Sequence, residues 1–379
     1  MFKIIHVVTE IDTNTPYFCE YSKNVHYMNK NTIQQDKQLF SDICQIIDKA
    51  RIQVAVKANT ELTLMYWHIG RRINTDVLGN QRAEYGKQVV LTLSAQLQER
   101  FQTSQFSLRN LRRMMQFAEE FPNLEIVTPL VTHLSWTHFL IVLPIKDAIA
   151  REFYLTMAAN SHWSKRELEK QIDGMLFERT AIAGKNNEKI KMELAALRNN
   201  DVMSPDLVFK DPYFLDFTGL KGYYSEHDLE DMLITGLQQF IMELGNGFTF
   251  VDRQKRMIID GEDFYLDLLF YHRKLHRLIA IDLKKGKFKA SYKGQMELYL
   301  RWLDKYERQP GEEAPLGLLL CSEGSEEQIE LLQLDKAGIQ VAQYYTELPP
   351  KHLLIEQLQK QLAIAKQRLE NQIESKNEI

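Results

Sequence analysis

From Gln38 to about Asn200 the apolar positions recur at steps of three and four residues, the repeat of amphipathic helices. Leu39, Ile43, Ile46, Ile47 and Ala50 form one stripe. Leu62, Met65, Tyr66 and Ile69 form a second, which Arg71 and Arg72 are expected to close, because cations suit a helix C-terminus. After a loop at Gly79-Asn80, helices are predicted from about Tyr85 to Phe101, from Ser107, from Lys146 to Ala159, from the Ser-Lys-Arg-Glu cap at Ser164, and from Glu188 to Leu197. Past the polar stretch Asn199–Pro205 the pattern changes. A helix opening at Ser225 runs to Gly245-Asn246-Gly247, then the period becomes two from Phe248 to Ile259 and through the two strands that carry Asp267 and Asp282. A helix holding Gln295 and Tyr299 follows, then a strand at Pro315–Cys321, a helix at Glu326–Ala337 and a strand at Gly338–Ala342.

This order predicts an all-α N-terminal domain followed by a mixed α/β domain with a central sheet and crossover helices. The expected boundaries are a loosely packed leader over 1–35, a helical domain over 36–200, the α/β domain over 206–346 and an amphipathic helix over 349–375. In that last helix Leu354, Leu358, Leu362, Ala365, Leu369 and Ile373 line one face. Such a stripe must be buried, against a second copy in a homodimer or against its own chain.

Period two puts Asp267 on the face of Leu269 and Tyr271, and Asp282 with Lys284 on one face of the next strand, opposite Ile279, Ile281 and Leu283. Charges on so apolar a strand cost several kcal/mol unless paired, which asks for a metal, a mutual pair or a polyanionic ligand. Two carboxylates suit Mg²⁺ or Mn²⁺, which keep waters and accept substrate phosphate. A metal-bound water with a neighbouring ammonium is the equipment of phosphodiester hydrolysis.

Three further groups of residues bear on that reading. Glu230 borders the apolar stripe of its helix and is a candidate metal ligand, with Glu226 one turn earlier as the fallback. Gln254, and the run Lys285, Lys287, Lys289 and Lys293 beside the acids, are placed to meet phosphate. Ser107 to Gln116 sets Arg109, Arg112, Arg113 and Gln116 on one helix face behind a preceding helix and short turn, the pattern of a helix-turn-helix. His133 and His138 are read as structural.

The 379 residues, 44% hydrophobic and 26% charged, describe a soluble globular chain, and no apolar run is long enough to span a membrane. The opening Met-Phe-Lys-Ile-Ile-His-Val-Val is too short for a signal peptide, so a cytoplasmic location is expected. Cys19, Cys44 and Cys321 are far apart and show no metal spacing. A net charge of −4 neither advertises nor excludes nucleic-acid binding, since local patches set the field at a cleft. Gly-rich phosphate loops and the Gly-x-Ser-x-Gly element are missing, which argues against a nucleotide cofactor and against acyl transfer. A glycosidase pair of acids gives Lys284 no task.

The lone Asp267 followed by Asp282-Leu283-Lys284 resembles the PD-(D/E)xK nuclease superfamily, and Gln295-Met-Glu-Leu-Tyr299 matches its Gln-x-x-x-Tyr element. The run from Leu229 to Lys284, with Glu-Leu-Thr-Leu-Met-Tyr-Trp-His-Ile-Gly-Arg-Arg-Ile and Arg-Ala-Glu-Tyr-Gly-Lys-Gln-Val-Val upstream, resembles the YhcG-type family over about residues 36–350. One departure is Asp282, where most relatives carry Glu. The resemblance implies a restriction-endonuclease-like domain cleaving DNA with Mg²⁺ or Mn²⁺. It assigns the metal to Asp267, Asp282, the Leu283 carbonyl and Glu230, catalysis to Lys284, and support to Gln295 and Tyr299. The alternative is a DNA-binding scaffold with a vestigial nuclease fold.

Overall fold

The computed structural model describes residues 30–78, 83–323, 329, 331–360 and 362–363. The chain falls into two units, Met1–Asn59 and Thr60–Ile379. Most of the expected leader, the Gly79-Asn80 loop and the last apolar positions Ala365, Leu369 and Ile373 lie outside the described residues.

The first correction concerns the opening helices. The two stripes belong to one helix, α1 (Lys30–Leu78), of 49 residues, which includes the tail of the expected leader. Nothing between Asn31 and Ile69 breaks it, because that span holds neither glycine nor proline. Arg71 and Arg72 therefore sit inside the helix, and Arg71 donates to the Pro122 carbonyl at 3.1 Å. Gly70 is where α1 meets the backbone of a later helix: a Cβ there would come within 1.8 Å of the Met114 carbonyl oxygen.

Eight more helices build the helical part of the second unit: α2 (Ala83–Phe101), α3 (Leu108–Glu120), α4 (Leu124–Val131), α5 (Trp136–Val142), α6 (Ala148–Ser161), α7 (Lys165–Asp173), α8 (Leu176–Arg179) and α9 (Asn187–Asn200). Their core is aromatic, with Phe117, Phe139 and Phe153 fully buried. His138 is structural as expected: its Nδ1 meets the Ser135 cap and its Nε2 the Trp163 carbonyl.

A six-stranded sheet follows in the order β1-β6-β5-β4-β3-β2. Its strands are β1 (Tyr213–Phe214), β2 (Phe248–Ile259), β3 (Glu262–His272), β4 (Arg277–Lys287), β5 (Leu316–Glu323) and β6 (Ile339–Tyr345). The first three long strands form an antiparallel meander, and β4, β5, β6 and β1 run parallel. Helices α10 (Glu226–Thr235) and α11 (Leu237–Leu244) cover one face on Ile279, Ile281 and Leu283; α12 (Ala290–Tyr306) covers the other on Leu269 and Ala280. The mixed α/β fold with a helix-flanked central sheet is thus present.

Sequence pattern missed some details. The Ser225–Leu244 helix is two helices broken at Gly236, where the Phe217 ring packs so close that a Cβ would come within 3.0 Å of it. Of the helix expected at Glu326–Ala337, Ile329 and Leu331 are helical and Leu334–Ala337 is a 3₁₀ turn, with 324–328 and 330 outside the described residues. His272 is fully buried and holds the hairpin through the Leu275 amide and the Asn246 carbonyl. Burial lowers it to about 4, so it stays neutral. The last helix, α13 (residues 351–360), packs Leu354 and Leu358 on Met175 of its own chain. Leu354 and Leu358 are thus covered within the chain.

Candidate active site

β3 and β4 pair through Leu268 and Ile281, so the next residues along, Asp267 and Asp282, stand side by side on the α12 face. Asp267 Oδ2 accepts from the Leu283 amide at 2.8 Å, and its carboxyl group lies within hydrogen-bonding reach of Asp282. Asp282 is 3% exposed and receives Lys284 Nζ at 2.7 Å. Lys284 in turn lies 5.3 Å from the centre of the Tyr292 ring on α12. No residue pattern pointed to Tyr292, whose position depends on how α12 crosses the sheet.

Charge in this group does not balance. Burial, and then the facing Asp282, push Asp267 up to about 7, although the Leu283 amide and Lys284 act in the opposite sense. Burial raises Asp282 too, with Lys284 offsetting part of it. Lys284 would be lowered by its own burial, but Asp282 and then Asp267 outweigh this and hold it above its ordinary range. Two half-enclosed carboxylates therefore share one firmly charged ammonium. One negative charge is left for a proton or a bound cation.

Glu230, 3% exposed on α10, is tied to these acids at one remove. Its Oε1 receives Arg253 Nε at 2.5 Å and its Oε2 receives Gln254 Nε2 at 2.7 Å, while the same Gln254 amide reaches Asp267 Oδ1 at 3.2 Å. Arg253 also holds Asp231 at 2.5 Å. Gln254 makes this bridge from a left-handed backbone, φ +50°, beside the irregular pairing at Phe250/Asp252, a local strain of the kind found at functional sites. Arg253 was not among the residues read from sequence, although its neighbour Gln254 was. Glu226, the fallback, accepts instead from the Lys285 amide at 2.7 Å.

Support comes from behind. Gln295 donates to the Tyr299 hydroxyl at 2.7 Å, and that hydroxyl donates to the Tyr265 carbonyl of β3 at 3.1 Å. Among the described residues no group of three or more His, Cys, Asp or Glu side chains is arranged to hold a metal. What the donor set fits is a two-carboxylate Mg²⁺-type site, completed by water and phosphate. Cys321 lies below Lys284 on β5, with burial pushing its thiol up to about 12, so it offers no nucleophile.

Other candidates lie elsewhere. Lys285 is occupied by its own chain, donating to the Tyr224 carbonyl with its ammonium 3.7 Å from the Tyr223 ring centre, whereas Lys287 is exposed. Arg109 and Arg112 are exposed and Arg113 half-buried on α3, in the helical part rather than on the sheet. Ser107 precedes that helix without a side-chain capping bond. Among the described residues, no helix is long and apolar enough to cross a membrane.

A sheet that sets Asp and Asp-x-Lys on adjacent strands defines a PDDEXK-type domain, and comparison with known proteins agrees. Residues 206–363 match the YhcG PDDEXK nuclease domain, and residues 42–179 match the DUF1016 N-terminal domain. The chain is 33% identical over 368 residues to "Putative nuclease YhcG" of Escherichia coli, covering 89% of this chain and 97% of that one. It belongs to the YhcG family. A repair endonuclease from Pyrococcus abyssi (20% identity, TM-score 0.24) and apo EndoMS (17% identity, TM-score 0.23) overlap 35% and 34% of this chain and 50% and 49% of their own, too little to bear on function.

Proposed function

We propose that this protein is a divalent-metal-dependent nuclease hydrolysing DNA phosphodiester bonds in the cytoplasm, in repair, recombination or defence against foreign DNA. The observation that carries the reading is the uncompensated charge at Asp267 and Asp282 beside a charged Lys284. Asp267, Asp282 and the Leu283 carbonyl would hold Mg²⁺ or Mn²⁺, with Glu230 joining once it exchanges its bonds to Arg253 and Gln254. The bound ion supplies an acidified water and counter-charge for the phosphate.

The chain's own groups account for the rest. Lys284, kept cationic by the two carboxylates, orients the attacking water or offsets charge growing on the phosphoryl oxygens. Gln295 and Tyr299 brace β3 at Tyr265 and so fix Asp267 in register. Lys287 on the sheet, and Arg109, Arg112 and Arg113 on α3, are the candidate phosphate contacts, which makes binding salt-dependent. The test is to incubate purified protein with linear, nicked and branched DNA, and with RNA, in Mg²⁺, Mn²⁺ or EDTA. Cleavage that needs the metal and disappears in Asp282→Asn, with DNA binding retained, is the expected result. Metal-independent cleavage, or none by the wild type while it binds DNA, would favour the inactive scaffold instead.

A further inference from the structure

Tyr223 is 94% exposed, the most exposed large apolar side chain among the described residues, so its ring covers almost nothing of its own chain. A lone exposed ring is ordinary. This one is held in place: the Lys285 ammonium lies 3.7 Å from the ring centre, and Lys285 is itself fixed at both ends, its amide donating to Glu226 Oε1 at 2.7 Å and its Nζ to the Tyr224 carbonyl. The chain just after the ring is pinned as well, because Ser225 and Asp228 close a capping box at the start of α10. An ammonium against one face of an aromatic ring is a favourable contact that leaves the opposite face open.

This platform stands at the rim of the acid site. Lys285 follows Lys284 directly on β4, and Glu226 lies near enough to Asp282 and Lys284 to act electrostatically on both. Through Lys285 the ring is on the order of 10–14 Å from the Lys284 backbone, a few nucleotides at about 3.4 Å each along a strand. The acids beside the platform are engaged, Glu226 by the Lys285 amide and Asp228 by the Ser225 cap. Lys221 and Lys287, each two residues from one member of the Tyr223–Lys285 pair, are exposed. An aromatic face flanked by exposed lysines suits a single nucleic-acid strand, whose phosphates meet the ammonium groups while a base lies on the ring.

Building on the nuclease reading, we propose that Tyr223 stacks on an unpaired base of the DNA held at Asp267 and Asp282, so that the substrate has single-stranded character near the scissile phosphate. Within a duplex each base is already stacked on both faces. An isolated ring therefore meets only a base that has left the helix, as at a gap, a flap or a frayed end.

The test is to titrate full-length protein in EDTA, which withholds the metal, with a short thymidine strand carrying 2-aminopurine at intervals and with the blunt duplex of the same sequence. Tyr223→Ala should bind the strand roughly 5- to 100-fold more weakly and the duplex within about twofold of wild type, while Tyr223→Phe, which keeps the ring, should match wild type on both. The quenching of 2-aminopurine that stacking produces should occur with wild type and Tyr223→Phe and vanish with Tyr223→Ala. Thermal unfolding of the three proteins should coincide, because the ring covers so little. A Tyr223→Ala protein that binds and quenches the strand as wild type does, that loses strand and duplex binding alike, or that Tyr223→Phe merely reproduces, overturns the stacking role while leaving the nuclease reading intact. A wild type that binds neither strand nor duplex sinks the nuclease reading itself, and the stacking role with it.

Discussion

Two buried charge clusters in this molecule each join acids to cations and end in opposite states. Where α8 meets α11, Arg179 donates to the Gly174 carbonyl at 2.9 Å, the Pro212 carbonyl at 3.1 Å and Glu243 Oε1 at 2.6 Å, and lies 3.7 Å from the Phe214 ring centre. Glu243 also receives the Phe214 amide at 2.9 Å, and Lys210 donates to the Glu243 carbonyl. Burial lowers Lys210 to about 8, and two cations, Arg179 and Lys210, serve the one acid, with a partner for each donor named. At Asp267 and Asp282 two acids share one lysine, and the deficit appears as a carboxyl group titrating near neutrality. A buried cluster whose cations cover its acid holds elements together; one whose acids outnumber its cations is poised to bind a cation.

The sharpest way to break this contrast is to remove the nearer cation from the first cluster. Arg179→Met should cost about 3–5 kcal/mol in urea unfolding, because Glu243 is left buried without its strongest partner. Cleavage per folded molecule should be unchanged; a mild loss of stability would show that the two clusters do not differ in kind.

Lys284→Ala should do the reverse, lowering the cleavage rate about 10²–10³-fold, or roughly 2.7–4 kcal/mol, in single-turnover assays.

The pH dependence gives a smaller effect. Asp267 is raised above its unfolded value of 3.8, so between about pH 4 and 7 the folded state retains a proton that the unfolded chain has released. Its stabilising contribution in EDTA is therefore complete below about pH 4 and is lost as pH rises through 7, on the order of 2 kcal/mol after allowance for screening. Asp267→Asn should flatten that slope in urea titrations across the range. A slope unchanged in Asp267→Asn would show that the charge deficit lies elsewhere.

The smallest effect separates strain from bonding at Gln254. Gln254→Ala and Gln254→Gly both delete the bridge between Glu230 and Asp267, but only glycine relieves the positive φ. The Gly variant should be more stable than the Ala variant by about 1 kcal/mol, with equal cleavage rates.

Much of the site was legible in the chain because a strand has a period of two. Alternation alone places Asp282 and Lys284 together against Ile279, Ile281 and Leu283, and these two sets do lie on opposite faces of the sheet. Arg253 and Tyr292 were not legible, since each reaches the site from an element whose crossing angle no local pattern encodes. Gly236 shows the same limit: glycine is a weak helix former, but that the Phe217 ring packs so close that a Cβ there would come within 3.0 Å of it is set by the fold.

By itself, then, the sequence determined periodicities, and hence the elements, the faces of the strands and the pairing of Asp267 with the Asp-x-Lys element. Those are short-range consequences of backbone geometry and of keeping apolar groups from water. Only the tertiary structure decided how the charges balance: that Arg253 and Gln254 take up Glu230, that Glu226 binds the Lys285 amide, and that Asp267 and Asp282 are left with one lysine between them. Electrostatic partners are chosen by distance in space and by exclusion of solvent, and neither is written in the spacing of residues along a chain.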